Sequence, residues 1–169
     1  PLVILDCCSE LSDPDAGRRA YESAHIPGAH HVSMQDGLSG LRTGRNGRNP
    51  LPEPHVFLQA MSSLGIGGDT QVVAYDHSGG LYAARLWWML RWIGHEAVAV
   101  LDGGLAAWLD AGLPVTMDAP PPPQGASLHV HPSLTQCVSY DDLRSQLAKP
   151  RWLVLDARAA DRFRGENEV

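Results

Sequence analysis

Residues 71–95 read QVVAYDHSGGLYAARLWWMLRWIGH, and this stretch decides the fold. Its opening run, Val72-Val73-Ala74-Tyr75, is short, apolar and β-branched at two positions, which predicts a buried strand. The strand stops at Asp76, turns through His77-Ser78-Gly79-Gly80, and gives way to an apolar helix from near Leu81. Gly94 follows as the C-terminal cap. A strand, a tight loop and a helix in this order aim several backbone N–H groups and a helix dipole at one point. Such a point suits an anion, or a thiolate whose pKa must be lowered. The residue standing there is Asp76, which carries no sulfur.

Outward from this unit the same alternation continues. Val3-Ile4-Leu5 predicts a short buried strand ending at Asp6, followed by a short helix within residues 13–23 and a turn at residues 24–29 that leads into an extended piece near Val32. Pro54 opens a helix that places Phe57, Leu58, Met61 and Leu64 on one face, closed by Gly65. Val98 to Leu101 is the next strand, and Leu105 to Ala111 a short helix capped by Gly112. Strands alternating with helices predict an α/β fold with a parallel sheet covered on both faces. Residues 36–52 interrupt the pattern with no periodicity and with Gly37, Gly40, Gly44, Gly47, Pro50 and Pro52. A loop of that length is usually functional or disordered. It carries Arg42, Arg45 and Arg48, so it reads either as a solvated loop or as an anion-attracting flap.

The texture changes at Met117. Residues 118–125, DAPPPPQG, predict a semi-rigid, exposed tether, placing a first domain at residues 1–117 and a linker at 118–127. Beyond it Leu128-His129-Val130-His131 alternates like a strand. Ser139 can cap a helix over Tyr140 to Ala148 with Asp142 as its capping-box acid. Trp152-Leu153-Val154-Leu155 then reads as a buried strand ending at Asp156. Leu153-Val154-Leu155-Asp156 repeats the pattern of Val3-Ile4-Leu5-Asp6, so a second domain similar to the first is expected to start within residues 128–169.

Composition narrows the function. The 169 residues are 44% hydrophobic and 19% charged, with a net charge of −6, which argues against a nucleic-acid partner. No apolar run approaches the length of a membrane span. The N-terminus reads as a strand and not as a signal peptide, so a cytoplasmic setting is expected. Cys7, Cys8 and Cys137 form no disulfide framework, because vicinal cysteines are poorly placed to pair. The pairs His30-His31 and His129-x-His131 lack cysteine or acidic partners at the usual spacing, so no metal is expected. No cofactor is implied.

Three segments, AHIPGA at residues 24–29, VVAYD with its glycine loop and LYAARLWWMLRWIGH, and VLDGGLAAW at residues 100–108, are similar to the two-domain rhodanese family. That family includes the thiosulfate and 3-mercaptopyruvate sulfurtransferases. Asp156-Ala157-Arg158 with Arg162-Phe163-Arg164-Gly165 resembles the opening of its second domain. The resemblance implies two similar α/β domains with the catalytic cysteine only in the second, and aspartate at the equivalent loop position of the first, as Asp76 stands here. It implies a thiolate that takes the sulfane sulfur of a small anionic donor as a persulfide and passes it to cyanide or a thiol. By the same resemblance Arg162 grips the donor's anionic end, and Asp76 is an anionic cap on the loop N–H groups. Residues 1–169 alone are expected to be inactive, with Cys7 and Cys8 lacking a loop cradle. Many relatives have His before Pro-Leu-Pro in the long loop, where this chain has Asn49, so no role is carried over to that position.

Other readings are separable. Cysteine phosphatases also need the cysteine that Asp76 replaces. A haloacid-dehalogenase-type phosphotransferase would want a second aspartate where Ser78 stands. A non-catalytic rhodanese-like binding or regulatory module is the remaining alternative, and a cysteine in the second domain's loop discriminates against it.

Overall fold

Four short strands, β1 (Leu2–Asp6), β2 (His30–His31), β3 (Gln71–Tyr75) and β4 (Val98–Val100), form one sheet in the order β2-β1-β3-β4. They belong to a computed structural model that describes residues 1–147 and 152–167. All three strand pairings are parallel, with Leu5 beside His30 and Ala74, and Ala74 beside Val100. Parallel neighbours require crossovers. Here α1 (Ala16–Ser23) lies between β1 and β2, α2 (Pro54–Ser63) between β2 and β3, and α3 (Ala83–Trp92) between β3 and β4. After β4 comes α4 (Gly104–Asp110). The predicted elements of the first domain are therefore present, each within a few residues of its expected bounds.

Side chains alternate across the sheet as the two-residue period of strands demands. Leu5, Cys7, Val72, Ala74 and Val98 join Phe57 and Met61 of α2 and Leu86, Met89 and Leu90 of α3 in the larger core. Tyr75 faces the other side, with Ile26, Ala29 and Leu105 buried around it and Ile4, Leu101 and Trp108 packed against them. Both faces are covered, as a parallel sheet needs. Among the described residues no helix is long and apolar enough to cross a membrane.

Residues 36–52 contain neither helix nor strand, and residues 41–48 are all exposed. The base of this loop is nonetheless held from inside. Arg85, on α3, donates through Nε to the Leu38 carbonyl (2.8 Å) and through Nη2 to the carbonyls of Asn49 (3.0 Å) and Pro50 (3.2 Å). The Gly40 N–H closes the same neck on the Pro50 carbonyl (2.9 Å). At the tip Arg42 is bound to the Asn49 side chain (3.2 Å).

The division of the chain falls later than the proline run. Its two compact units are Pro1–Thr135 and Gln136–Val169. Leu128 is buried in the larger core, and its N–H donates to Ser62 Oγ (3.2 Å). The N–H groups of His131 and Leu134 donate to the carbonyls of Ile93 and Arg91 at the end of α3 (both 2.9 Å). The strand expected over residues 128–131 is thus a strap along the first unit, outside the sheet. Its backbone finds carbonyls at a helix end and no strand edge.

In the second unit, α5 (Tyr140–Gln146) has the expected capping box between Ser139 and Asp142, and α6 (Ala160–Phe163) follows. The predicted end of α5 at residue 148 lies outside the described residues. Residues 152–155 are not a strand here: Leu153 and Leu155 are 85% and 79% exposed. An apolar run becomes a strand only where a neighbour takes up its backbone hydrogen bonds. No such neighbour is present among the described residues.

Replacing Arg85 by alanine is expected to cost about 2–3 kcal/mol, because a charge-assisted clamp is lost and the Leu38 and Asn49 carbonyls lose the donor it supplies. Lysine should recover only part of this, since one ammonium cannot reproduce the planar fork that spans both ends of the neck. Urea unfolding of Arg85→Ala and Arg85→Lys checks the order. Equal stability of Arg85→Ala and wild type would remove the clamp from the account.

Candidate functional site

The loop after β3 closes around the carboxylate of Asp76, which is 1% exposed. Its Oδ1 accepts from the N–H groups of Ser78 and Gly80 (both 2.8 Å). Its Oδ2 accepts from those of Tyr82 (2.8 Å) and Ala83 (2.9 Å) at the start of α3. Four donors therefore converge on one side chain from the loop and from the first turn of the helix, where N–H groups have no partner within the helix. The convergence expected from the sequence is present, and the carboxylate occupies it.

The Asp76 backbone is pinned as well. Its carbonyl accepts from the Leu105 N–H (3.2 Å), and a Cβ on Gly104 would stand 2.3 Å from that oxygen, on a backbone with φ of +57°. Only glycine allows α4 to start so close to the loop. The Asp102-Gly103-Gly104 segment is thus the floor on which the Asp76 loop rests.

The AHIPGA segment is a second brace. His25 is buried, stacks on Tyr21 (ring centroids 4.0 Å apart), and reaches the Tyr21 carbonyl through Nδ1 (2.7 Å) and the Asp118 carbonyl through Nε2 (3.2 Å). Its backbone exchanges two hydrogen bonds with Thr116. The Ile26 N–H donates to the Tyr75 hydroxyl (3.1 Å), tying the turn to β3. These residues hold the ends of the unit together, and none of them faces Asp76.

Burial keeps both vicinal cysteines in the thiol form. Cys7 and Cys8 are buried. Burial pushes the Cys7 thiol far up, with the charges of Asp6 and then Asp76 adding to it. The Cys8 thiol rises for the same leading reason, followed by the charge and hydrogen bonding of Asp6. Thiolates, not thiols, attack sulfur. Cys137 is exposed and makes no hydrogen bond among the described residues.

In the second unit the charged side chains divide unequally. Arg158 is paired with Asp156 (2.8 Å) and Arg164 with Glu166 (2.7 Å), while Asp161 accepts from Asn167 (3.2 Å). Arg162 Nε is buried and has no hydrogen-bond partner among the described residues, while the charge of Arg162 helps to lower the pKa of Asp156 and Asp161.

Two measurements test this account of the buried groups. Asp76→Asn keeps the shape but presents an amide NH₂ to donors that already point inward, so at least two N–H groups lose their acceptor. A loss of about 2–4 kcal/mol in urea unfolding is expected, and a loss below about 1 kcal/mol would mean the four bonds are not what holds the loop. The thiols set an alkaline limit. Their folded pKa values lie above that of an unfolded cysteine, about 8.5, so below that pH both states keep the proton and stability is insensitive to them. As pH rises further, the unfolded chain releases protons that the folded chain retains, and stability falls by about 1.4 kcal/mol per pH unit for each thiol. Under reducing conditions Cys8→Ala should make this slope shallower by one proton, and an unchanged slope would sink the assignment.

Comparison with known proteins fits this geometry. The rhodanese-like domain model matches residues 1–111. A Pseudomonas aeruginosa protein named probable 3-mercaptopyruvate sulfurtransferase is 43% identical over 169 residues, covering 99% of this chain and 59% of its own length. Human 3-mercaptopyruvate sulfurtransferase is 39% identical over 171 residues, covering 98% and 55%. The crystal structure of SseA from Escherichia coli, described with the fold and mechanism of 3-mercaptopyruvate sulfotransferases, superposes with a TM-score of 0.85 at 29% identity, covering 98% and 62%. The chain thus spans a little over half the length of these relatives. A parallel sheet, an anion-cradling loop after β3 and a family match over two thirds of the chain lead to one conclusion: the chain belongs to the rhodanese-like domain family.

Proposed function

We propose that the protein to which this chain belongs is a sulfurtransferase, moving a sulfane sulfur from 3-mercaptopyruvate or thiosulfate to cyanide or a thiol. The first unit, Pro1–Thr135, is its non-catalytic first domain, and a second rhodanese-like domain, opening within residues 136–169, carries the nucleophilic cysteine. The observation that carries this reading is the Asp76 cradle. Four N–H groups hold a negative side chain at the end of a central strand. In the second domain the equivalent loop holds a cysteine thiolate and then its persulfide with the same kind of donors. With thiosulfate, the thiolate attacks the outer sulfur, a new S–S bond forms, and sulfite leaves with the electron pair of the old one. Cyanide then takes the outer sulfur as thiocyanate, and the thiolate returns. The names and identities of the relatives support the reaction class.

Arg162 is the donor-binding residue on this reading. Its buried Nε, which has no hydrogen-bond partner among the described residues, supports it. Thiosulfate and 3-mercaptopyruvate both carry oxyanions that a guanidinium can hold in two parallel charge-assisted bonds. Assays of the full-length protein with each donor test the reading directly. Turnover of neither donor, with no cysteine in the second domain's loop, would leave a binding module instead. In an active full-length protein, Arg162→Lys should lower kcat/KM for the donor by roughly tenfold or more, about 1.4 kcal/mol, with Tm nearly unchanged. A variant that melts several degrees lower but keeps its donor kinetics would make Arg162 part of the scaffold.

A further inference from the structure

β1 and β3 are adjacent, parallel and in register, with Asp6 beside Tyr75 at their C-terminal ends. The residues that follow each strand therefore meet at one edge of the sheet. A carboxylate oxygen of Asp6, the Cys8 sulfur and a ring nitrogen of His77 all lie within 4.8 Å of one another. We propose that these three side chains form a zinc-binding site.

The first independent observation is an orphaned acid. Asp6 is fully buried. Its Oδ1 accepts from the Cys8 N–H (2.8 Å), but among the described residues Oδ2 has no donor at good geometry, although the Cys8 thiol and the Tyr75 hydroxyl interact with this carboxyl group. A buried carboxylate oxygen without a partner is costly, and a cation supplies the missing one. The second is room and access. A cavity of about 230 Å³ is lined by Cys8, Glu10, Gly17, His77 and Ser78 among others. It leaves space for a fourth ligand, either water or the Glu10 carboxylate.

The surroundings are rigid where ligands must be held and open where one must move. His31 Nε2 donates to the Cys8 carbonyl (3.0 Å), and α1 packs so closely that a Cβ on Gly17 would stand 2.0 Å from that carbonyl oxygen. His77 is exposed, so its ring can shift. A tetrahedral zinc with ordinary Zn–S, Zn–N and Zn–O lengths needs ligand atoms roughly 3.3–3.7 Å apart. The ligand atoms, within 4.8 Å of one another, therefore have to close by up to about 1.5 Å.

Charge selects the occupant. A buried carboxylate and a sulfur stand together with an imidazole at this point, a donor set that suits a dication. On binding, the Cys8 S–H bond breaks, the sulfur's electron pair goes to the metal, and the proton leaves to solvent. One thiolate and one carboxylate then balance Zn²⁺, with neutral imidazole as third ligand. A sulfur, nitrogen and oxygen set of this kind suits zinc and not the hard oxygen-seeking ions.

The inference does not depend on the sulfurtransferase reading, because its readouts need no turnover. Reduced, metal-free full-length protein is titrated with Co²⁺ and, separately, with Zn²⁺ against a chromophoric chelator. A thiolate-to-cobalt charge-transfer band that Zn²⁺ abolishes, and that is lost in Cys8→Ser, is expected. His77→Ala, a change at an exposed side chain that leaves the fold intact, should weaken zinc binding at least tenfold. The proposal is overturned if the band keeps its full strength in Cys8→Ser, or if His77→Ala binds zinc as tightly as wild type. Wild-type protein that takes up no zinc overturns it too. Should Cys8→Ser fail to fold, the His77→Ala affinity decides alone.

Discussion

The structure depends on a buried negative charge that is fully satisfied. Moving a carboxylate out of water costs several kcal/mol unless hydrogen bonds replace its hydration. Asp76 meets that condition with four N–H donors, two on each oxygen. The donors come from the loop after β3 and from the first turn of α3, so one side chain sets where the strand ends and where the helix begins. The Asp76 carbonyl takes a further N–H from α4. Three elements are thereby registered on a single residue at the centre of the sheet.

The other fixed points follow the same logic with neutral acceptors. Arg85 gathers three carbonyls at the neck of the long loop, and its partial burial, which lowers the guanidinium pKa, is tolerable because those carbonyls replace water. His25 and Tyr75 do likewise between the AHIPGA turn, the sheet and the segment after α4. Buried polar groups of this kind rigidify a fold when every member finds a partner. They explain why the motifs that make this family recognisable are largely motifs of construction. The chemistry they frame is a property of the one residue each loop presents.

How much of this could be read from the sequence depended on whether the cause was local. The strands Leu2–Asp6 and Gln71–Tyr75, the helices Pro54–Ser63 and Ala83–Trp92, and the convergence of N–H groups on Asp76 all follow from short-range pattern. So does the capping box at Ser139. Residues 128–131 and 152–155 look like strands for equally local reasons, yet strand formation needs a partner edge, which no local pattern supplies. Arg85 went unremarked because its role is set by carbonyls 35 to 47 residues away in sequence. One signal was available: an arginine inside an otherwise apolar helix must find acceptors. Asp6, Cys8 and His77 escaped for the same reason, since their proximity comes from strand register and not from spacing along the chain.

The position of the two buried acids also bears on what the loop after β3 can hold. Asp6 and Asp76 stand at the ends of neighbouring strands, and both raise the pKa of the Cys7 and Cys8 thiols between them. A thiolate at the Asp76 position would keep the four N–H donors, which favour it, but would still face Asp6 across the strand pair at low effective dielectric, which does not. The carboxylate spreads its charge over two oxygens that match four donors. A single sulfur atom would have to gather all four. The loop therefore works here as a permanent brace.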